Sequence, residues 1–271
     1  MAALSYRHQR VQRLRRLVGR RSAREAERAF VAEGAKVVGE ALDARSVETL
    51  FIDPSAVGPA EAAVVERAFA LGCRVFELEK GVVERVAGTV TPQPLLAVVP
   101  FVDRPLDELD RSGLIVVCAD VRDPGNLGTV LRSAEAAGVR GVVCADGTVD
   151  PYNPKCVRAS AGALFHVPLV VGGNTVQVLS ELGTWGLRRL GTSVRGGTPL
   201  WSADLAGPLA LVLGNEAIGL PAEIDAALDA HVTIPIEGRG ESLNVGMAAA
   251  VLVYEAARQR SLAATAQGPQ P

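Results

Sequence analysis

LIVVCADVRDPGNLGTVLRSAEAAG, residues 114–138, decides the fold. Residues 114–121 run continuously apolar to an acidic end, the pattern of a parallel strand covered on both faces. Pro124 and Gly125 force a turn, and 128–138 reads as a helix. Asn126 precedes that helix, where it caps the first turn or holds a side-chain network, and Arg132 falls on the second turn. Taken alone, an arginine there is more often solvated or salt-bridged. The loop contains neither GxGxxG nor GxxxxGK[ST], which argues against a dinucleotide oxidoreductase or a P-loop ATPase. Strand, turn and helix in succession indicate an open α/β sheet, and such sheets bind ligands beyond the carboxyl ends of their strands.

Toward the C-terminus the alternation continues. Strands are predicted at 141–146, 166–171, 186–193, 208–214 and 231–236, with helices at 153–164, 174–183, 221–229 and 243–258. Two more strand-end loops carry glycine beside polar residues. In LVLGNEAIGLP (211–221) a buried strand runs into Gly214, Asn215 and Glu216, where backbone can approach a ligand closely. In IPIEGRGESLNVGMAAAVLVYEA (234–256), Ser242 is a candidate N-cap and Asn244 stands beside the start of an Ala-rich helix. Val245, Ala248, Ala249, Leu252 and Ala256 give that helix a narrow side suited to packing on another helix, within the chain or across a dimer. The three loops together hold Asn126, Arg132, Glu216, Ser242 and Asn244. No Ser-His or Cys-His pair accompanies them. The tail 261–271 reads as disordered.

Toward the N-terminus, a polar, proline-broken stretch at 102–112 reads as a linker. Before it lies a smaller α/β unit: helix 30–42, strand 47–53, helix 59–70, strand 74–79, short helix 81–88 and strand 95–101. Residues 6–28 form an amphipathic basic helix, broken near Gly19. Residues 1–28 carry nine arginines against Glu25 and Glu27, a net +7, within a chain of 271 residues whose formal charge is -2. The competing reading of this helix is a solvated face packed on its own domain. Arginine pairs bidentately with phosphate, so Arg7, Arg10, Arg13, Arg15, Arg16, Arg20, Arg21 and Arg24 are candidate contacts to nucleic-acid phosphates. At 48% hydrophobic and 21% charged the chain is globular, and no apolar run reaches the roughly 18 residues of a spanning helix. The four cysteines form no CxxC pair and the three histidines no ligand spacing, so a metal site is not expected. The basic start lacks the apolar stretch of a signal peptide, and a reduced, cytoplasmic protein is expected.

DPGNLGTVLRSAEAAG, LVLGNEAIGL and IPIEGRGESLNVGMAAAVLVYEA resemble the three signature motifs of the TrmH/SpoU family of RNA ribose 2′-O-methyltransferases, in the SPOUT superfamily. The resemblance covers about 113–258, and residues 24–42, REAERAFVAEGAKVVGEAL, resemble the L30e-like substrate-binding domain that often precedes it. It implies an L30e-like domain at 1–105 and a methyltransferase domain at 113–260, an α/β parallel sheet tied in a trefoil knot. Periodicity would not suggest a knot. It implies S-adenosylmethionine as cofactor, held by Thr192, Ser193, Val194, Arg195, Gly196, Leu213, Gly214, Asn215, Glu216, Ile234, Pro235, Ile236, Leu243 and Asn244. It implies a homodimer packed through the first and last helices of the catalytic domain. Arg132 is the implied catalytic arginine, with Asn126, Glu216, Ser242 and Asn244 orienting it and the ribose. The implied reaction is in-line methyl transfer to the 2′-oxygen, in which positioning supplies much of the rate. A guanidinium, with a pKa above about 12, is a poor base, so stabilisation of the developing alkoxide is its first role. Gly246 departs from the family's usual Ser and is expected to loosen the helix start.

Ribosomal RNA is the expected substrate, given the basic helix and the two-domain plan. The alternatives are the same chemistry on tRNA and a non-catalytic RNA-binding assembly factor, against which the intact polar set argues. Relatives of this plan also confer antibiotic resistance, but no residue here indicates it.

Overall fold

The computed structural model describes residues 3–88 and 91–266. They fall into two compact units. One comprises Met1–Val102 with Tyr152–Phe165, and the other Asp103–Pro151 with His166–Pro271. The helix predicted at 153–164 therefore belongs with the N-terminal unit, although its sequence lies within the catalytic stretch.

In the first unit the basic helix is broken where expected, into α1 (Gln9–Gly19) and α2 (Arg21–Glu27), with Arg20 extended between them. The predicted helix 30–42 divides into a strand, β1 (Ala29–Glu33), and a helix, α3 (Ala35–Asp43). Gly34 separates them at φ 89, a conformation glycine tolerates without strain. Next come β2 (Thr49–Ile52), α4 (Pro59–Ala70), β3 (Arg74–Glu77), α5 (Val82–Ala87) and β4 (Leu95–Pro100). The sheet order is β1-β4-β2-β3, with only β2 and β3 parallel. Val11, Leu14 and Leu17 of α1 are fully buried in a cluster with Phe51, Val83 and Leu96, which fixes α1 to the sheet. The later segment adds α7 (Pro154–Ser160), packed on β1, and an aromatic cluster in which Tyr152 stacks on Phe101 at 3.8 Å between centroids. Arg158 pairs there with the buried Glu33.

The second unit is a seven-stranded sheet, parallel throughout, in the order β7-β6-β5-β10-β8-β11-β9. Its strands are β5 (Leu114–Cys118), β6 (Gly141–Cys144), β7 (Leu169–Val171), β8 (Arg188–Thr192), β9 (Thr198–Pro199), β10 (Leu209–Leu213) and β11 (Ala230–Thr233). All five residues of β5 and of β10 are buried, as central parallel strands require. The helices are α6 (Pro124–Ala136), α8 (Thr175–Thr184), α9 (Ala222–Asp225) and α10 (Val245–Ala266). The two-residue β9 was not predicted, and α9 is much shorter than the helix predicted at 221–229. Residues 261–266, expected to be disordered, continue α10, and 267–271 lie outside the described residues. The strand order reverses between β5 and β10. This is the switch point where an open α/β sheet leaves a crevice. The architecture is consistent with the trefoil knot of the SPOUT fold.

Cys118, Cys144 and Cys156 are buried, and Cys73 is half-buried. No described helix is long and apolar enough to cross a membrane.

Candidate active site

Four strand-end loops of the second unit surround a cavity of about 810 Å³. From the loop after β8 come Thr192, Ser193, Val194 and Arg195. Gly214, Asn215 and Glu216 come from the loop after β10. The segment before α10 contributes Ile234, Ile236, Ser242, Leu243 and Asn244, and α6 contributes Asn126. Of the residues predicted to hold a cofactor, Gly196, Leu213 and Pro235 do not line the cavity.

Local backbone demands explain the loop after β10. Asn215 and Gly219 exchange backbone hydrogen bonds at 3.0 and 2.9 Å, closing a tight turn. A Cβ on Gly214 would stand 2.6 Å from the carbonyl carbon of Gly219, so only glycine fits. The Asn215 side chain accepts from Ala217 and Ile218 N–H and donates to the Asp120 carbonyl and carboxylate. Asp120 itself is held at φ 64. The loops after β5 and β10 are thus tied together by one amide.

Beside that tie runs a second network. Asn126 Nδ2 donates to Glu216 Oε1 at 3.0 Å, and Asn244 Nδ2 donates to Asn126 Oδ1 at 2.8 Å. The Arg122 and Asp123 backbone N–H groups donate to the two Glu216 oxygens at 3.2 and 3.3 Å. Partial burial pushes the Glu216 carboxyl up, but the hydrogen bonds from Asn126 and the backbone outweigh it and hold its pKa below the ordinary carboxylate value. Residues separated by 90 and 118 positions are thereby joined in one chain of hydrogen bonds.

Two capping assignments change. Asp123, not Asn126, caps α6, accepting from Asn126 N at 2.9 Å, so Asn126 lies inside the first helical turn with its side chain free for the network. Asn244, not Ser242, caps α10, accepting from Gly246 and Met247 N–H. Ser242 is exposed on the cavity and makes no hydrogen bond with the described residues. Gly246 does not loosen the helix start. A Cβ there would meet Thr129 Cβ at 3.0 Å, so the glycine allows α10 to lie close against α6. Arg132 is exposed on α6, outside the cavity, and has no hydrogen bond or ion pair among the described residues.

Sequence reasoning missed His231 and Asp225, which both line the cavity with His231 Nε2 2.6 Å from Asp225 Oδ1. Their six-residue spacing carries no signature. It also missed Ile218 and Glu241, lining residues next to motifs already singled out.

The donor set fits S-adenosylmethionine. Apolar Ile218, Leu220, Ile234 and Leu243 suit a purine, the Gly214 cradle admits close backbone approach, and carboxylates of Glu216, Glu241 and Asp225 suit a cation.

Of the basic residues predicted to meet RNA, Arg24 is corrected. It is 3% exposed and donates to the Leu17 and Val18 carbonyls at 2.8 and 3.2 Å, closing the C-terminus of α1. Arg13 is clamped by Glu27 and Glu48 at 2.6 Å each, which raises its pKa. Arg16 faces Glu27 and Arg21 pairs with Glu25. Arg7, Arg10, Arg15 and Arg20 are exposed and form no ion pair among the described residues.

Comparison with known proteins identifies the family and the fold. Residues 113–254 match the model of the SpoU rRNA Methylase family, and residues 8–97 match the MRM3-like substrate binding domain. The chain is 35% identical over 227 residues to the 23S rRNA (guanosine(2553)-2'-O)-methyltransferase RlmP of Bacillus subtilis (strain 168), covering 83% of this chain and 87% of that protein. The SpoU methyltransferase AviRb from Streptomyces viridochromogenes, solved with AdoMet, superposes with a TM-score of 0.84 at 27% identity, over 94% of this chain and 100% of that one. The AdoMet-bound rRNA methyltransferase from Sinorhizobium meliloti superposes at 0.79 with 30% identity, over 93% of this chain and 95% of that one.

Proposed function

The chain belongs to the SpoU rRNA methylase family and is an S-adenosylmethionine-dependent RNA ribose 2′-O-methyltransferase, and from that premise we propose that its substrate is ribosomal RNA. The observation that carries the reading is the Asn244–Asn126–Glu216 relay at the edge of the cofactor-sized cavity. The choice of ribosomal RNA is supported by the substrate in the name of the Bacillus subtilis relative and by the substrate-binding domain at 8–97.

S-adenosylmethionine supplies an electrophilic methyl group when bound. Thr192–Arg195, Gly214–Glu216, Ile234, Ile236 and Leu243 would hold it. The ionised Glu216, fixed by two backbone N–H groups, turns the Asn126 amide so that its oxygen meets Asn244. With both asparagine amides satisfied, the groups left for substrate are the Ser242 hydroxyl and the Arg132 guanidinium. Ser242 orients the ribose. Arg132 stabilises charge growing on the 2′-oxygen and the neighbouring phosphate, an effect of about 2–4 kcal/mol.

A homodimer belongs to the same proposal. Met247, Val251, Tyr254 and Leu262 leave an exposed apolar stripe along α10, and Arg132 stands outside the cavity of its own chain. Pairing α6 and α10 with a second copy would cover the stripe and carry Arg132 toward a cavity.

The test is transfer of labelled methyl from S-adenosylmethionine to separated ribosomal RNAs, ribosomal subunits and bulk tRNA, for the wild type and Arg132→Ala. Labelling of ribosomal RNA that the variant loses is the expected result. Labelling confined to tRNA would move the substrate assignment. No labelling of any pool together with no cofactor binding would favour an assembly factor.

A further inference from the structure

α1 presents arginines that are not solvated at random. The guanidinium of Arg10 lies over the Phe76 ring at 4.5 Å, and those of Arg15 and Arg85 lie over Tyr6 at 4.6 and 3.5 Å. Arg85 comes from α5 and Phe76 from β3, and the two stacks lie on opposite flanks of α1, because helical residues five apart point about 140° from one another. Backbone pairing fixes the base of α1. Leu4 N–H donates to the Glu77 carbonyl at 2.8 Å and Glu79 N–H to the Leu4 carbonyl at 3.0 Å, which lays the segment before α1 along the end of β3. On the Arg10 flank, Arg7, His8, Gln9, Arg10, Arg13 and Arg16 line a cleft of about 690 Å³. The carboxylates closest to it in the fold are already engaged, Glu27 and Glu48 with Arg13. Glu77 and Glu79 at the end of β3 and Glu84 on α5 are the exposed acidic groups left at the margin.

A guanidinium lying over an aromatic ring keeps its N–H edge outward for phosphate and its second face open to a planar partner. The stack also fixes a flexible side chain before binding, which lowers the ordering cost. A paired helix offers phosphates but no free base faces, whereas unpaired RNA offers both. We infer that the Tyr6–Arg15–Arg85 and Phe76–Arg10 stacks, one on each flank of α1, hold unpaired bases of the RNA substrate, with Arg7 and the cleft beside Arg10 holding the adjoining phosphates. The inference rests on the RNA methyltransferase reading. It adds Tyr6, Phe76 and Arg85, which the charge pattern of the N-terminus does not mark, and it specifies loop over duplex.

The test is equilibrium binding of the full-length protein to a stem–loop RNA and to a blunt duplex of the same stem, as a function of salt. Arg85→Ala and Tyr6→Ala should weaken stem–loop binding roughly tenfold and duplex binding no more than about twofold, while Tyr6→Phe restores the stem–loop. Arg7→Ala should weaken both probes and reduce the salt slope by about one. Far-ultraviolet circular dichroism and thermal unfolding, measured in parallel, report that each variant is folded, and S-adenosylmethionine binding reports on the second unit. Arg85→Gln, which keeps the stem of the side chain, serves if the alanine variant does not fold. Equal losses on the two probes would reduce the stacks to simple electrostatics and overturn the inference, as would no loss at all. Wild type that binds cofactor but neither RNA would overturn it too. Wild type that binds neither cofactor nor RNA would instead defeat the methyltransferase reading beneath it.

Discussion

Asn126 contributes one amide with two directed bonds, and both are used: nitrogen to Glu216, oxygen to Asn244. Asn126→Ala would leave the carboxylate without its side-chain donor and the Asn244 amide without an acceptor. Methyl transfer should fall about 100-fold in single-turnover assays, with the melting temperature little changed because the network is exposed. Gly214→Ala should act differently, abolishing cofactor binding in calorimetry by driving a Cβ into the Gly219 carbonyl. The depressed pKa of Glu216 has a sign. Its contribution is present above the ordinary carboxylate pKa and is lost as pH falls through the lower folded value. Cofactor affinity should therefore stay flat from neutral pH down through the ordinary carboxylate range and then decline, whereas Glu216→Gln should be weak at every pH. Gly214 and Glu216 stood out in the sequence because a buried strand runs into glycine there, and Asn126 because it follows the Pro124-Gly125 turn. Arg24 was misread because its burial depends on the break at Arg20, which folds α2 back over the carbonyls ending α1. His231 and Asp225 were invisible because only the fold brings a strand residue against the end of α9.

At the scale of elements, the sequence was misread at AFVAE, most of which was assigned to the helix 30–42. Alanine and glutamate favour a helix, yet all five residues are buried in β1, paired with β4 from Ala29↔Pro100 to Glu33↔Leu96. Cover from α1 and α7 decides the outcome, and the α7 contribution comes from more than a hundred residues later, beyond any local window. The alternation of the catalytic stretch survived because parallel strands buried on both faces write themselves as apolar runs. α6 and α10 are the elements most closely packed in that unit, and Gly246 governs their approach. Gly246→Val should cost about 1–3 kcal/mol in denaturant unfolding as it presses on Thr129. The far end of α10 is clamped by Gln259, which accepts from Leu205 N–H at 2.7 Å and donates to the Ala203 carbonyl and to Glu255. Arg258 and Gln259 together pull the Glu255 pKa down to about 2. Gln259→Ala should lower the melting temperature through the loss of about 1–3 kcal/mol, by leaving the Leu205 N–H unpaired.

At the scale of the whole molecule, the exposed stripe of Met247, Val251, Tyr254 and Leu262 makes assembly testable. Tyr254→Glu should shift sedimentation toward the monomer and reduce methyl transfer in step, while leaving far-ultraviolet circular dichroism unchanged. Independence of the two signals would separate the arginine from any second copy. The sheet order was not legible in the sequence. Insertion of β10 between β5 and β8 is a matter of threading, which no local pattern records. That order has a consequence for synthesis. The cavity draws on Asn126 at one end and Leu252 at the other, and a central strand of its sheet is missing until β10 has been made and inserted. A chain emerging from the ribosome therefore holds no half-built catalyst. A chain cut before α10 lacks Val245, Ala248 and Leu252 of the cavity wall and should bind no cofactor, which calorimetry on the truncated chain checks.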